Sequence, residues 1–153
     1  MPRRLRRLER LFEHNPIYFI TAATFSGARI LADPTIHQTL KHFAEEGPDR
    51  GAWLGAYVLM PDHLHAFVVL DDREITLSSW VKSLKNSLSK ALRASGHPAP
   101  HWQKGFFDHV LRSAESYEEK WHYIRENPVR AKLVSRWEDW PYQEHQRLEY
   151  REL

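Results

Sequence analysis

The chain has 153 residues, of which 42% are hydrophobic and 27% charged, with a formal net charge of +2 at pH 7. This predicts one globular domain over residues 1–153, without room for a second core. The absence of cysteine excludes disulfides, thiolate metal sites and cysteine nucleophiles. No apolar run approaches the roughly 18 residues of a membrane span, and the N-terminus lacks the apolar segment of a secretory signal. We therefore expect a cytoplasmic protein with no membrane partner.

Hydrophobic periodicity and turn residues predict the elements in chain order. They are a strand at 16–25, a helix at 33–47, strands at 52–60 and 63–70 joined by a tight turn, a helix at 76–96, an extended segment at 101–113, a helix at 114–127, and a short helix with a tail at 128–142. This order is typical of an α+β fold with helices packed on one face of an antiparallel sheet. The ferredoxin-like arrangement is its simplest member. Within the domain, residues 1–14 form a basic N-terminal segment and residues 135–153 a C-terminal tail.

Two histidines, His63 and His65, flank one leucine where the second strand of the hairpin begins. Side chains alternate between faces along a strand, so both imidazoles are expected on one face. Two imidazoles so close could share a ligand. The pattern alone fits a pair of structural histidines equally well.

The helix at 114–127 brings a phenol and an amide close together. Tyr117, Trp121 and Ile124 recur at i, i+4 and i+7 and predict the face that packs on the sheet. Tyr123 and Asn127 are also i, i+4 neighbours, on the flank of that stripe, where the amide oxygen could complete a site begun by the histidines. Alternatively, Tyr123 lies at the core margin and Asn127 only ends the helix before a proline.

Clustered basic residues indicate a polyanionic partner. The candidate phosphate contacts are Arg3, Arg4, Arg6, Arg7, Lys82, Lys85, Lys104, Arg112, Arg125 and Arg130. Trp102, Phe106 and Phe107 could stack on unpaired bases. For each cluster, the alternative is a solvated helix face, and for each aromatic a place in the core.

Three ordered motifs resemble the single-tyrosine, HUH-type transposases of the insertion-sequence-200 kind: YVLMPDHLHAFVVL, WQKGFFDHVLR and YIRENPVRAKLV. The likeness spans nearly the whole chain and is closest to the repeat-associated (REP-associated) branch. That family has a His-hydrophobic-His motif, here His63-Leu64-His65. It also has a helix tyrosine followed four residues later by a polar metal ligand, here Tyr123 and Asn127. Many insertion-sequence members have Gln at the position of Asn127, and relatives often have Asn where Asp62 stands.

The resemblance implies a metal-dependent endonuclease and strand transferase that acts on single-stranded, hairpin-bearing DNA through a 5′-phosphotyrosine on Tyr123. It implies a divalent ion, Mg²⁺ or Mn²⁺, held by His63, His65 and Asn127. Tyr117 is the rival nucleophile, but the residue four positions later is Trp121, which cannot bind a metal. Both a homodimer and a monomer are compatible with the family.

Two other functions remain open from the residues alone. A non-catalytic, ferredoxin-like nucleic-acid-binding protein would keep the basic and aromatic residues and use the histidines structurally. A metal-dependent hydrolytic nuclease would use water as the nucleophile, so its activity would survive the loss of Tyr123.

Overall fold

The computed structural model describes residues 15–145 of the chain. The predicted basic contacts Arg3, Arg4, Arg6 and Arg7, and the tail beyond residue 145, lie outside the described residues. No helix within the described range is long and apolar enough to cross a membrane.

Five strands form one sheet in which every pairing is antiparallel. They are β1 (Ile17–Ala23), β2 (Ala52–Leu59), β3 (His63–Leu70), β4 (Phe107–Leu111) and β5 (Gln143–Glu144), in the spatial order β4-β1-β3-β2-β5. The predicted hairpin is present, and the Met60 N–H donates to the His63 carbonyl across its turn at 2.8 Å. The extended segment predicted at 101–113 contains β4.

Within residues 15–145, four α-helices connect or follow these strands. They are α1 (Pro34–Glu46), α2 (Leu77–Ala94), α3 (Ala114–Ile124) and α4 (Asn127–Arg130), with 3₁₀ turns at Phe25–Gly27, Gly47–Arg50 and Trp137–Asp139. Each of the three longer helices begins at a polar N-cap whose side chain accepts a backbone N–H: Asp33, Thr76 and Ser113.

The order β1-α1-β2-β3-α2-β4 with the strand sequence β4-β1-β3-β2 is the ferredoxin-like topology. This confirms the predicted α+β class and antiparallel sheet. β5 extends the sheet next to β2, where the chain returns after α4.

The sheet has a hydrophobic core on each face. α1 and α2 cover one face, through residues such as Leu40 and Leu84. α3 covers the other through Tyr117, Trp121 and Ile124, the predicted stripe. The prediction of helices on one face therefore holds for α1 and α2 and needs correction for α3. The central strands are buried on both sides, so both faces must be covered.

The third predicted helix ends at Ile124, not at residue 127. Arg125 and Glu126 keep right-handed dihedral angles, and α4 then starts at Asn127 with proline in its first turn. Pro128 has no N–H to donate, so the helical hydrogen-bond ladder is interrupted there. Tyr123 and Asn127 consequently lie on two successive helices.

Candidate active site

The histidine pair lies at the end of the sheet where β3 begins. His63 is opposite Ala23 and His65 is opposite Thr21 on β1. The two imidazole rings are 4.7 Å apart between centroids, which agrees with the expectation that they share one face. This is the face covered by α3, because His65 is in register with Phe67 of that core.

Both imidazoles are oriented through their Nδ1 atoms. His63 Nδ1 donates to the Asp62 carboxylate at 2.8 Å, and His65 Nδ1 lies 2.8 Å from Thr21 Oγ1. Within residues 15–145, neither Nε2 atom has a hydrogen bond. Metal-ligating histidines commonly have this arrangement, in which an outer partner fixes one ring nitrogen and leaves the other for the ion. The pair therefore has the right chemistry to hold a divalent metal.

The environment of His65 favours its neutral form. Burial, and then the positive charges of His63, Lys120 and Arg130, lower its pKa to about 3. A neutral imidazole keeps the lone pair that a metal requires.

Tyr123, Asn127 and Arg130 form a second cluster at the junction of α3 and α4. The Tyr123 side chain is 63% exposed, and the Arg130 guanidinium lies 4.2 Å from its ring centroid. Arg130 also donates to the Tyr123 carbonyl at 2.6 Å and to the Asn127 amide oxygen. The predicted neighbours thus stay together across the helix break because one arginine contacts both.

Asn127 is the only one of the three implied metal ligands whose ligand atom already has a protein partner. Among residues 15–145, no group of three His, Cys, Asp or Glu side chains could hold a metal, and the third ligand that the family resemblance implies is the Asn127 amide oxygen. Its oxygen faces the Arg130 cation, which would repel a metal ion. The two histidines have the chemistry to hold a metal as they stand, whereas the Asn127 oxygen could act as a ligand only if Arg130 released it.

Lys120 lies next to the histidine pair and was missed in the sequence. Its Nζ is 4.7 Å from the Phe19 ring centroid, and the Phe19 ring stacks on His65 at 5.4 Å. The signal that could have found it is spacing, because Lys120 precedes Tyr123 by three residues on one helix.

Lys85, a predicted phosphate contact, fixes a loop. Its Nζ donates to the carbonyls of Gln103 at 3.2 Å and Gly105 at 2.6 Å, and burial lowers its pKa. These bonds hold the loop that leads into β4.

The other predicted basic contacts are scattered. Lys82 is exposed on α2, and Lys104 is exposed in the loop before β4. Arg112 follows Leu111, which pairs with Ile17 at the opposite end of β1 from the histidines. Arg125 stacks on Trp137 at 4.3 Å. Of the predicted basic residues within 15–145, Arg130 is the one whose charge acts on His65.

The three candidate stacking aromatics differ in exposure. The Trp102 indole donates to Ser89 Oγ at 3.0 Å, and Phe106 packs against the core under α2. Phe107 is 60% exposed and lies on β4 opposite Thr21. Thr21 is also opposite His65. Phe107 and His65 therefore lie at the same level of the sheet, with β1 between their two strands.

No protein-family model matches the chain. A curated relative, the REP-associated tyrosine transposase of Escherichia coli K12, is 28% identical over 109 residues. The match covers 71% of this chain and 64% of that protein. The chain therefore spans slightly less than two thirds of the relative's length.

Two solved structures are similar in fold. One, described as a REP-associated tyrosine transposase bound to a REP hairpin, superposes with a TM-score of 0.68 at 27% identity, over 84% of this chain and 75% of that one. The other, provisionally named a transposase of Deinococcus radiodurans R1, has a TM-score of 0.54 at 21% identity, over 74% and 91% of the two chains, and supports the fold alone. In sequence and in fold, the chain is related to the REP-associated tyrosine transposases.

Proposed function

We propose that the chain is a metal-dependent endonuclease and strand transferase that acts on single-stranded, hairpin-bearing DNA. The observation that supports this best is the His63 and His65 pair, held through Nδ1 on the sheet face that α3, the helix of Tyr123, covers. Neither Nε2 atom has a hydrogen bond with any residue of 15–145. The relatives also support the proposal, since they are named as REP-associated tyrosine transposases and one is described as bound to a REP hairpin.

A divalent ion, Mg²⁺ or Mn²⁺, would be held by His63, His65 and, after Arg130 moves, Asn127. When bound, it would neutralise charge that develops on the phosphate under attack. Asp62 and Thr21 would keep the two imidazoles in place. Arg130 adds positive charge to the same region, which favours the approach of an anionic substrate.

Tyr123 is the proposed nucleophile. Its phenolic oxygen would attack the phosphorus, its proton would pass to water, and the bond from phosphorus to the 3′ oxygen would break. The 3′ oxygen leaves as a hydroxyl after taking up a proton, and the 5′ phosphate stays on the tyrosine. A 3′-hydroxyl of another strand can reverse the step, so strand transfer needs no further energy source.

Exposure separates Tyr123 from its rival. Tyr117 is 1% exposed, and its hydroxyl accepts the Ala56 N–H at 3.2 Å. Tyr123 is the one mostly exposed tyrosine among residues 15–145, since the other tyrosines of that range are buried or half-buried. DNA can therefore reach Tyr123 without rearrangement of the core.

One observation favours a second function, that of a non-catalytic DNA-binding protein. The Asn127 oxygen is already hydrogen-bonded to Arg130, which leaves two ready metal ligands. Such a protein would bind hairpin DNA with an affinity that falls with salt and is indifferent to EDTA.

The test is a covalent-adduct assay. End-labelled single-stranded DNAs with short hairpins, taken from sequence flanking the gene, are incubated with the protein and Mn²⁺ or Mg²⁺ and separated on a denaturing gel. We expect a slow, protease-sensitive band that requires the metal, is lost in Tyr123→Phe and persists in Tyr18→Phe, a half-buried tyrosine on the other face of the sheet. Cleavage without an adduct that survives Tyr123→Phe would indicate a hydrolytic nuclease, whereas binding without cleavage would indicate the non-catalytic function.

The same assay addresses assembly. Tyr123→Phe and His63→Ala are each expected to be inactive alone. A mixture of the two regains adduct formation only if the tyrosine of one copy completes the site of a second copy, as a homodimer would require. A monomer that uses its own tyrosine gives no adduct in the mixture.

A further inference from the structure

Lys120 is fixed beside the histidine pair by an aromatic contact. Its ammonium lies over Phe19, 4.7 Å from the ring centroid, and Phe19 and His65 stack with an interplanar angle of 18°. The side chain is half-buried. A cation over an aromatic face is attracted by the ring quadrupole, so the charge is held in this place.

Arg130 brings a second positive charge to Tyr123 from α4. Its guanidinium stacks on Tyr123 and donates to the Tyr123 carbonyl and the Asn127 amide. Lys120 precedes Tyr123 by three residues on α3, so the two side chains lie on the same side of that helix. Two cations from different helices therefore flank Tyr123, one over Phe19 beside His65 and one on the tyrosine ring.

Neither cation is neutralised within residues 15–145. No Asp or Glu in that range forms an ion pair with Lys120 or Arg130. A half-buried ammonium without a counter-charge is costly in free energy. An anion that bound between the two side chains would remove that cost.

We propose that Lys120 and Arg130 bind one DNA phosphate beside His65, the phosphate at which Tyr123 acts; this last identification rests on the proposed function. Lys120 has three N–H donors, none in a hydrogen bond with a described residue, and Arg130 has five N–H donors, more than its two contacts require. Lys120 and Tyr123 are i, i+3 neighbours on α3. A phosphate between the two cations would therefore lie near the phenol.

The test asks whether Lys120 contacts one particular DNA phosphate. All proteins carry Tyr123→Phe, which prevents cleavage through the tyrosine. Each phosphate of a hairpin oligonucleotide is replaced in turn by a neutral methylphosphonate, and the affinity of each protein for each oligonucleotide is measured at several salt concentrations. Lys120→Gln removes the charge, Lys120→Met retains the apolar stem over Phe19, and Lys120→Arg retains the charge. Lys90→Gln, an exposed lysine on α2 on the other face of the sheet, controls for net charge.

We expect Lys120→Gln and Lys120→Met to weaken binding about tenfold and to lower the salt slope by about 1. At one phosphate only, the methylphosphonate should cost affinity in the parent, in Lys120→Arg and in Lys90→Gln, but little in Lys120→Gln. If every methylphosphonate costs the same in Lys120→Gln and Lys120→Met as in the parent, Lys120 contacts no phosphate and the inference is wrong.

The adduct assay on the unmodified protein separates the two proposals. An adduct whose position differs from the Lys120-dependent phosphate supports the proposed function and overturns this inference. A Lys120-dependent phosphate without any adduct supports the phosphate site and overturns the catalytic proposal.

Discussion

Thr21 and His65 lie directly opposite each other on antiparallel strands, and Thr21 Oγ1 is 2.8 Å from His65 Nδ1. When Nδ1 carries the proton, it donates to the hydroxyl and the Nε2 lone pair is free for a metal. The pairing of β1 with β3 thus puts the Thr21 hydroxyl where it can select the His65 tautomer that binds a metal. Asp62 has the same relation to His63, by way of the turn.

Replacing Thr21 by valine should weaken metal binding. Valine retains the β-branched shape but cannot accept the Nδ1 proton, so we expect an affinity for Mn²⁺ about tenfold lower, measured by isothermal titration calorimetry. Thr39→Val on α1, where the hydroxyl donates only to the Thr35 carbonyl, should leave the affinity unchanged. Equal affinities in all three proteins would show that the Thr21 hydroxyl does not prepare His65 for metal binding.

Tyr117→Phe should reduce stability and leave chemistry intact. The register of β2 against β3 shifts between Leu54 and Tyr57, and the Ala56 N–H donates to the Tyr117 hydroxyl. Without that acceptor a buried N–H is unsatisfied, so the unfolding free energy should fall by about 1–3 kcal/mol in urea denaturation. Adduct yield per folded molecule should stay the same. Tyr123→Phe should show the reverse pattern, because that side chain is exposed.

Phe107→Ala should weaken single-stranded DNA binding without loss of stability. An exposed aromatic at the sheet edge can stack on a base, and one such contact contributes about 1–3 kcal/mol. Fluorescence anisotropy with a labelled oligonucleotide measures the affinity, and thermal unfolding measures stability. Trp102→Ala is the comparison: it removes an indole bonded to Ser89, so it should lower the melting temperature. Unchanged affinity in Phe107→Ala would contradict a stacking role.

His37 should make stability depend on pH. Burial, and then the charge of Lys41, lower its pKa, while Glu144 opposes them; Nε2 is bonded to the Tyr57 hydroxyl at 2.8 Å, and the Tyr142 ring packs edge-on. The unfolded chain, with an ordinary pKa near 6.5, binds this proton first as the pH falls. The stabilising contribution is thus present above about pH 6.5 and is lost as the pH falls toward the depressed value.

Denaturation at pH 7.5, 6.5 and 5.5 checks the effect of His37. One such group changes the unfolding free energy by at most about 1.4 kcal/mol per pH unit. The pH dependence should be smaller in His37→Gln, in which the amide can still donate to Tyr57. An identical pH dependence in the two proteins would exclude His37 as its source.

The sequence by itself determined the elements, the α+β class and the local pairings. The alternation of β3 put His63 and His65 on one face, and the spacing in α3 identified the buried stripe and the flanking Tyr123. These are properties of one strand or one helix, where the periods of 2 and 3.6 residues fix direction. They needed no knowledge of what packs against them.

Only the tertiary structure decided what surrounds those residues. The register of β1 against β3 brings Thr21 to His65, the placement of α3 on the second face brings Lys120 to Phe19, and the helix break at Pro128 turns Arg130 onto Tyr123 and Asn127. The tertiary structure also bonds Lys85 to the loop before β4 and Trp102 to Ser89, so both side chains hold the fold together. Such contacts join residues distant in sequence, and they are set by how both faces of a central sheet are covered, which no local pattern encodes.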